Sequence, residues 1–153
     1  RPEEIPGEDH YFVYREKFDE MINNGEFLEY AENHGQMYGT PKEQIEQALN
    51  NGKNVIMEID VKGAAQVKIN MPGAVLIFIK YDNDNIDRSI RARITNDQSR
   101  GEVSEEEIQT RIATAKKEAK YKRDYDYVVI NPEGHPEKAI EEVERIIQKE
   151  LIG

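Results

Sequence analysis

Val55-Ile56-Met57-Glu58-Ile59-Asp60-Val61-Lys62-Gly63 is the stretch that decides the fold. A short apolar run that ends in acids and a glycine reads as a buried strand whose carboxyl end faces a ligand cleft, the place where open parallel sheets bind. Alternate side chains of an extended chain share a face, so Glu58 and Asp60 point the same way and can both face that cleft. Val75-Leu76-Ile77-Phe78-Ile79 is a second, more continuous run, and Val128-Val129-Ile130 is a third. Helical patterns lie between them. Thr40-Pro41 offers a hydroxyl cap and a first-turn proline to a helix with Ile45, Ala48 and Leu49 on its apolar face and Asn51-Gly52 as its stop. Ser104-Glu105-Glu106-Glu107 has the form of a capping box: the Ser104 hydroxyl takes the Glu107 N–H and the Glu107 carboxylate returns the bond. A helix therefore starts near Glu105 and carries Arg111. A last helix begins after Pro136 and runs to about Glu150, with Ala139, Ile140, Val143, Ile146 and Ile147 on its apolar face. Buried runs alternating with helices predict an α/β body with a parallel sheet.

Working outward to the amino-terminal side, the pattern changes. His10-Tyr11-Phe12-Val13-Tyr14, Phe27-Leu28-Glu29-Tyr30 and Met37-Tyr38 are short aromatic pieces interrupted by Asn23-Asn24-Gly25 and His34-Gly35. They predict a small lobe of antiparallel strands around one helix over Arg15 to Asn23. The whole chain, 153 residues with 37% hydrophobic side chains, is of a size for one globular domain with a real core. Its 21 Lys and Arg against 31 Asp and Glu give a formal charge of −10, which disfavours general attraction to nucleic acid or an anionic membrane. An anionic ligand would need a local cluster of arginines. The absence of Cys excludes disulfides and thiolate metal sites. No apolar run approaches the roughly 18 residues of a membrane span, and Arg1-Pro2-Glu3-Glu4 does not read as a signal peptide, so a cytoplasmic location is expected. His10, His34 and His135 are too scattered to suggest a metal site. Lys116, Lys117, Lys120, Lys122 and Arg123 are interleaved with Glu118 and Asp124 and read as a helix surface rather than a nucleic-acid patch.

Five segments in chain order carry a resemblance: Arg1-x-x-Glu4-x-x-Gly7-x-Asp9, Glu26-Phe27-Leu28-Glu29-Tyr30-Ala31, Tyr38-Gly39-Thr40, Glu58-Ile59-Asp60-Val61-Lys62-Gly63 and Arg111-Ile112. Together they resemble the guanylate kinases, which move the terminal phosphate of ATP onto GMP. The resemblance implies a P-loop kinase core of α/β class over residues 41–153, a GMP-binding lobe over 1–40, and a helical lid at about 88–111 inserted between core strands. Nothing in the chain reads Gly-x-x-x-x-Gly-Lys-Ser/Thr, and the first residue is Arg rather than Met. The expectation is a piece of a longer protein that begins after its first strand and phosphate loop.

A GMP site must neutralise a phosphate and read the N1–H and N2–H₂ donor edge of guanine, which calls for arginines, phenolic hydroxyls and a carboxylate. By the resemblance, Arg1 and Tyr38 bind the phosphate, Glu29 accepts from the guanine edge, and Thr40 adds a hydroxyl to base recognition. A carboxylate favours guanine over adenine because adenine has no N1 donor to pair with it. The family has Asp-Tyr where this chain has Asp9-His10, so a second phosphate contact falls to His10 or to neighbouring Tyr11. Alternation along a strand favours His10. The resemblance further places Glu58 near Mg²⁺ and its water shell, Asp60 near the acceptor nucleotide, and Asn131 near the adenine of ATP. Where the family has Gln, this chain has Lys62. Phosphoryl transfer rests on positioning and charge stabilisation, so lid arginines are the implied catalytic groups. Arg111 is the clearest; Ile94 to Ser99 reads as an insertion and leaves Arg93 and Arg100 as alternatives for the second. The expected partners are GMP and ATP with Mg²⁺, in a monomer or homodimer. The competing expectation, strengthened by the missing phosphate loop, is a non-catalytic module that keeps the fold and binds GMP or a protein.

Overall fold

A computed structural model describes residues 11–33, 35–81, 86–96 and 103–152. The chain divides into two compact units, Arg1–Ala74 and Val75–Gly153.

The first unit is built on an antiparallel hairpin of β1 (Phe27–Asn33) and β2 (Gln36–Pro41). It is preceded by α1 (Arg15–Asn23) and followed by α2 (Lys42–Asn50) and α3 (Val61–Asn70). The first two helices stop by the same device. Gly25 and Gly52 take φ of 66° and 72°, and the next residues, Glu26 and Lys53, donate their N–H groups back to the Met21 and Ala48 carbonyls. Such a left-handed cap strains any residue with a Cβ, so each Asn-Asn-Gly fixes a helix end within the sequence itself. The core is Phe18, Phe27, Leu28, Ala64 and Val67, with the Phe18 and Phe27 rings 4.5 Å apart.

α3 lies along β1 and closes its outer edge with side chains. Gln66 Nε2 donates to the Tyr30 carbonyl at 2.9 Å while its Oε1 accepts the Tyr30 N–H at 3.2 Å, and Asn70 Nδ2 donates to the Leu28 carbonyl at 2.8 Å. Two amides one helical turn apart thus satisfy backbone groups that a further strand would otherwise claim.

Three expectations for this unit change. The run Val55–Ile59 forms no strand: Val55, Met57 and Ile59 are half-buried and Ile56, Glu58 and Asp60 exposed, but no neighbour pairs with it among the described residues. Its side-chain alternation is local; strand status needs a hydrogen-bonded partner. Tyr11–Tyr14 is likewise no strand, and Phe12 and Tyr14 are more than four-fifths exposed. Thr40 does not cap α2. Pro41 occupies that position without a side-chain bond, and the Thr40 hydroxyl turns across the hairpin instead.

In the second unit, β3 (Ile77–Tyr81) and β4 (Tyr127–Asn131) pair in parallel, from Ile77 opposite Tyr127 to Tyr81 opposite Asn131. Two helices, α4 (Ile86–Asn96) and α5 (Glu105–Glu118), and a 3₁₀ turn (Ala119–Asp124) connect them. The strand starts at Ile77 rather than Val75 because the backbone of Leu76 is taken by Asp126, whose carboxylate accepts its N–H at 2.8 Å. α6 (Pro136–Ile152) covers β4, with Val129, Ala139 and Ile146 buried and Ile77, Tyr127 and Val143 around them. Ile140, predicted on that apolar face, is 57% exposed at its margin.

α4 and α5 pack on Ile90 and Ile112, with the small Ser89 also buried. Lys116 to Asp87 at 2.6 Å and Arg91 to Glu105 at 2.9 Å link them at the surface. The predicted cap is half right: Ser104 Oγ accepts the Glu107 N–H at 3.2 Å, but the Glu107 carboxylate goes to Arg111 and does not return to Ser104. No helix among the described residues is long and apolar enough to cross a membrane.

Candidate functional site

A glutamate in the middle of a hairpin should face water, yet Glu29 is 8% exposed. Burying a carboxylate is costly unless its oxygens find donors. One donor is supplied by register. Glu29 lies opposite Thr40, and the Thr40 hydroxyl donates to Glu29 Oε1 at 2.6 Å. This is Glu29's one hydrogen-bonding side-chain partner among the described residues. No fully buried side-chain polar atom among them lacks a partner, so Oε2, which has none, is not sealed off. The arrangement leaves a buried carboxylate with one oxygen anchored and the other open.

The same face carries more of the predicted site. Ala31 lies opposite Tyr38, and period-two alternation puts Tyr38 on the face of Glu29 and Thr40. Gly39, on the opposite face, is where the hairpin and the core touch. A Cβ there would stand 2.8 Å from Phe27 Cδ1 and 3.1 Å from the Glu29 carbonyl oxygen. The Tyr38-Gly39-Thr40 triplet therefore carries two hydroxyl-bearing side chains on one face and leaves room for the Phe27 ring at the other.

Asp60 approaches from the start of α3. Its Oδ1 accepts the Lys62 and Gly63 N–H groups at 2.9 and 2.8 Å, which makes it the N-cap of that helix. Expected only as a ligand at a strand end, Asp60 is also a structural cap, and Asp60-x-x-Gly63 is a helix start that the sequence already signals. Gly63 is where the acids meet: a Cβ on it would lie 3.1 Å from Glu29 Oε2 and 3.6 Å from Asp60 Oδ1. Glu29, Thr40 and Asp60 are thus brought together. Gly63 is the site residue that sequence reasoning names only as part of a motif.

Glu58 is exposed on the irregular segment before Asp60. Among the described residues no group of three or more His, Asp or Glu could hold a metal by itself. A lone exposed carboxylate fits Mg²⁺, which keeps several waters and is bound through one or two carboxylates plus substrate phosphates. Arg1, His10 and Arg100 lie outside the described residues.

The second unit places the remaining predicted residues. Arg93 near the end of α4 sits over the Tyr81 ring, 5.3 Å from its centroid. Arg111, early in α5, is held by Glu107 one turn before it, with Nη2 and Nε at 2.6 and 3.1 Å from the same oxygen. Asn131 ends β4 beside Tyr81. The Arg91 guanidinium, aided by the Gln109 amide, lowers the Glu105 carboxyl from its usual 4.5 to about 2.

Comparison with known proteins gives the same family throughout. A family model described as guanylate kinase matches residues 1–150. The guanylate kinase of Lactococcus lactis is 42% identical over 150 residues, which are 98% of this chain and 69% of that protein. That of Fusobacterium nucleatum is 43% identical over 131 residues, 85% of this chain and 67% of its own length. The crystal structure of guanylate kinase from Anaplasma phagocytophilum superposes with a TM-score of 0.73 at 29% identity, covering 98% of this chain and 69% of that one. With the family model matched over residues 1–150 and a relative 42% identical over 98% of this chain, the chain belongs to the guanylate kinase family.

Proposed function

We propose that this chain carries the GMP-recognising and lid parts of an enzyme that transfers the γ-phosphoryl group of ATP to GMP, giving GDP and ADP. The observation that carries the reading is Glu29: a carboxylate held in a largely buried position by Thr40 with one oxygen left open. Guanine offers that oxygen N1–H and N2–H₂ donors, whereas adenine would leave it unpaired, and an unpaired buried acceptor is penalised. Tyr38 on the same face and Arg1 supply the donors for the acceptor phosphate, with His10 or Tyr11 as a further contact. Asp60 holds the start of α3 while its second oxygen remains available to the acceptor.

On the donor side, Arg111 and either Arg93 or Arg100 stabilise charge on the transferring group, and Asn131 lies near the adenine. Arg93 on Tyr81 and Arg111 on Glu107 are tethered at the protein surface, and surface contacts of this kind are weak enough to be exchanged for a phosphate. Glu58 would meet Mg²⁺ through water. A bound Mg²⁺ would supply positive charge that offsets the charge of the ATP phosphates, with Glu58 holding its water shell. The setting we propose is cytoplasmic purine nucleotide metabolism, with the enzyme a monomer or homodimer that engages neither nucleic acid nor membrane. No observation favours the non-catalytic module.

Phosphoryl transfer in the intact gene product tests the proposal. ADP should be released from ATP and Mg²⁺ on addition of GMP, with AMP a far poorer acceptor. Equal rates with both acceptors, or no ADP with either, would contradict it.

A further inference from the structure

The open oxygen of Glu29 borders a residue with no side chain. Gly63 is buried in the first turn of α3, and a Cβ placed on it would come within 3.1 Å of Glu29 Oε2. The other neighbours of that Cβ are less tight, at 3.4 Å from Ile59 Cβ and 3.6 Å from Asp60 Oδ1. Gly63 has an ordinary helical backbone and is not among the glycines with positive φ. Neither the turn nor the helix therefore requires glycine here; a helix interior favours Ala over Gly. The one group that needs the space is the carboxylate.

That carboxylate cannot easily retreat. Its other oxygen is bonded to Thr40, and its strand is fixed from the opposite side by Gln66 and Asn70 of the same helix that carries Gly63. Helix and strand are thus locked in a register that brings Gly63 against Oε2. We infer that Gly63 is a specificity-determining positioning residue: its missing side chain keeps Glu29 Oε2 at the height and angle needed to accept from the base of the purine monophosphate acceptor. This rests on the proposal that Glu29 reads the base.

Gly63→Ala sets the helix preference for Ala over Gly against the crowding of Oε2, so Tm does not by itself report the role of Gly63. The readout is acceptor recognition, which crowding of Oε2 weakens. Losing the geometry of about one hydrogen bond corresponds to a rise of roughly three- to ten-fold in KM for GMP. The rise in KM should exceed any fall in kcat at saturating GMP. In the intact gene product carrying Glu29→Gln, the Gly63→Ala substitution should cost much less, since the two residues act through one oxygen.

The experiment is steady-state kinetics and thermal melting of the wild type, both single variants and the double variant, with GMP as the varied substrate. An unchanged KM in Gly63→Ala while Glu29→Gln raises it would overturn the role of Gly63 and leave the role of Glu29 standing. Fully additive losses in the double variant, or a lowered Tm with equal losses in kcat and kcat/KM, would also overturn it. An unchanged KM in Glu29→Gln would remove the reading on which the inference rests, and would be seen independently of Gly63.

Discussion

At the scale of single residues, the Glu29–Thr40 pair connects sequence to chemistry most directly. Thr40→Val keeps the shape and removes the one side-chain donor to Glu29 among the described residues, leaving an acceptor unsatisfied in a buried position. The expected cost is about 1–3 kcal/mol in urea denaturation, accompanied by weaker GMP binding. Gly39→Ala tests the other face of the hairpin. Its Cβ would need to share space with Phe27 Cδ1 and the Glu29 carbonyl, and overpacking of this kind costs roughly 1–3 kcal/mol in the same measurement. The sequence held the types of these residues but not all of their partners. Thr40 beside Pro41 matches a local helix-cap pattern, and its actual partner is eleven positions away across a hairpin. Asp60 showed the reverse. Its local role as the cap of α3 is legible in Asp60-Val61-Lys62-Gly63, beside the ligand role that its place after an apolar run suggests. Gly63 was visible as a motif letter, but the reason for it is a carboxylate from another element.

At the scale of elements, local signals were legible and pairings were not. Asn23-Asn24-Gly25, Asn50-Asn51-Gly52 and Ser104 fix helix ends through bonds within a few residues, and α1, α2 and α5 end or begin where those signals stand. Val55–Ile59 has the alternation of a strand without a ladder, and the margin of the α6 face at Ile140 depends on what packs there. The α4–α5 pair offers a test by pH. Arg91 and Gln109 hold the Glu105 carboxyl at about 2, below its ordinary 4.5. The native state therefore prefers the charged form more than the unfolded state does. This contribution is fully present above about pH 4.5 and is lost as pH falls through about 2. Glu105→Gln should flatten that part of the acid-denaturation curve, leaving a difference from the wild type that is present at neutral pH and vanishes near pH 2. An equal difference at both ends would mean that the ion pair is not the cause.

At the scale of the whole molecule, the family was legible because its motifs are spread from residue 1 to Ile112 and keep their order. The matched region, residues 1–150, spans both compact units. Charge of −10 opposes an anionic substrate, so the account places phosphate recognition and transfer on local cations rather than on the general field. Arg111→Ala should consequently lower kcat on the order of 100-fold while changing KM for GMP much less, as expected for a group that acts mainly on the transition state. Unchanged turnover would remove Arg111 from the lid. The central claim is that Glu29 distinguishes the acceptor base, and the most direct measurement is the ratio of kcat/KM for GMP to that for AMP in the wild type and in Glu29→Gln. Replacing a charged acceptor by an amide should lower kcat/KM for GMP about 10- to 100-fold and leave the slow reaction with AMP equal or faster, collapsing the ratio. A ratio that survives the substitution would contradict the account.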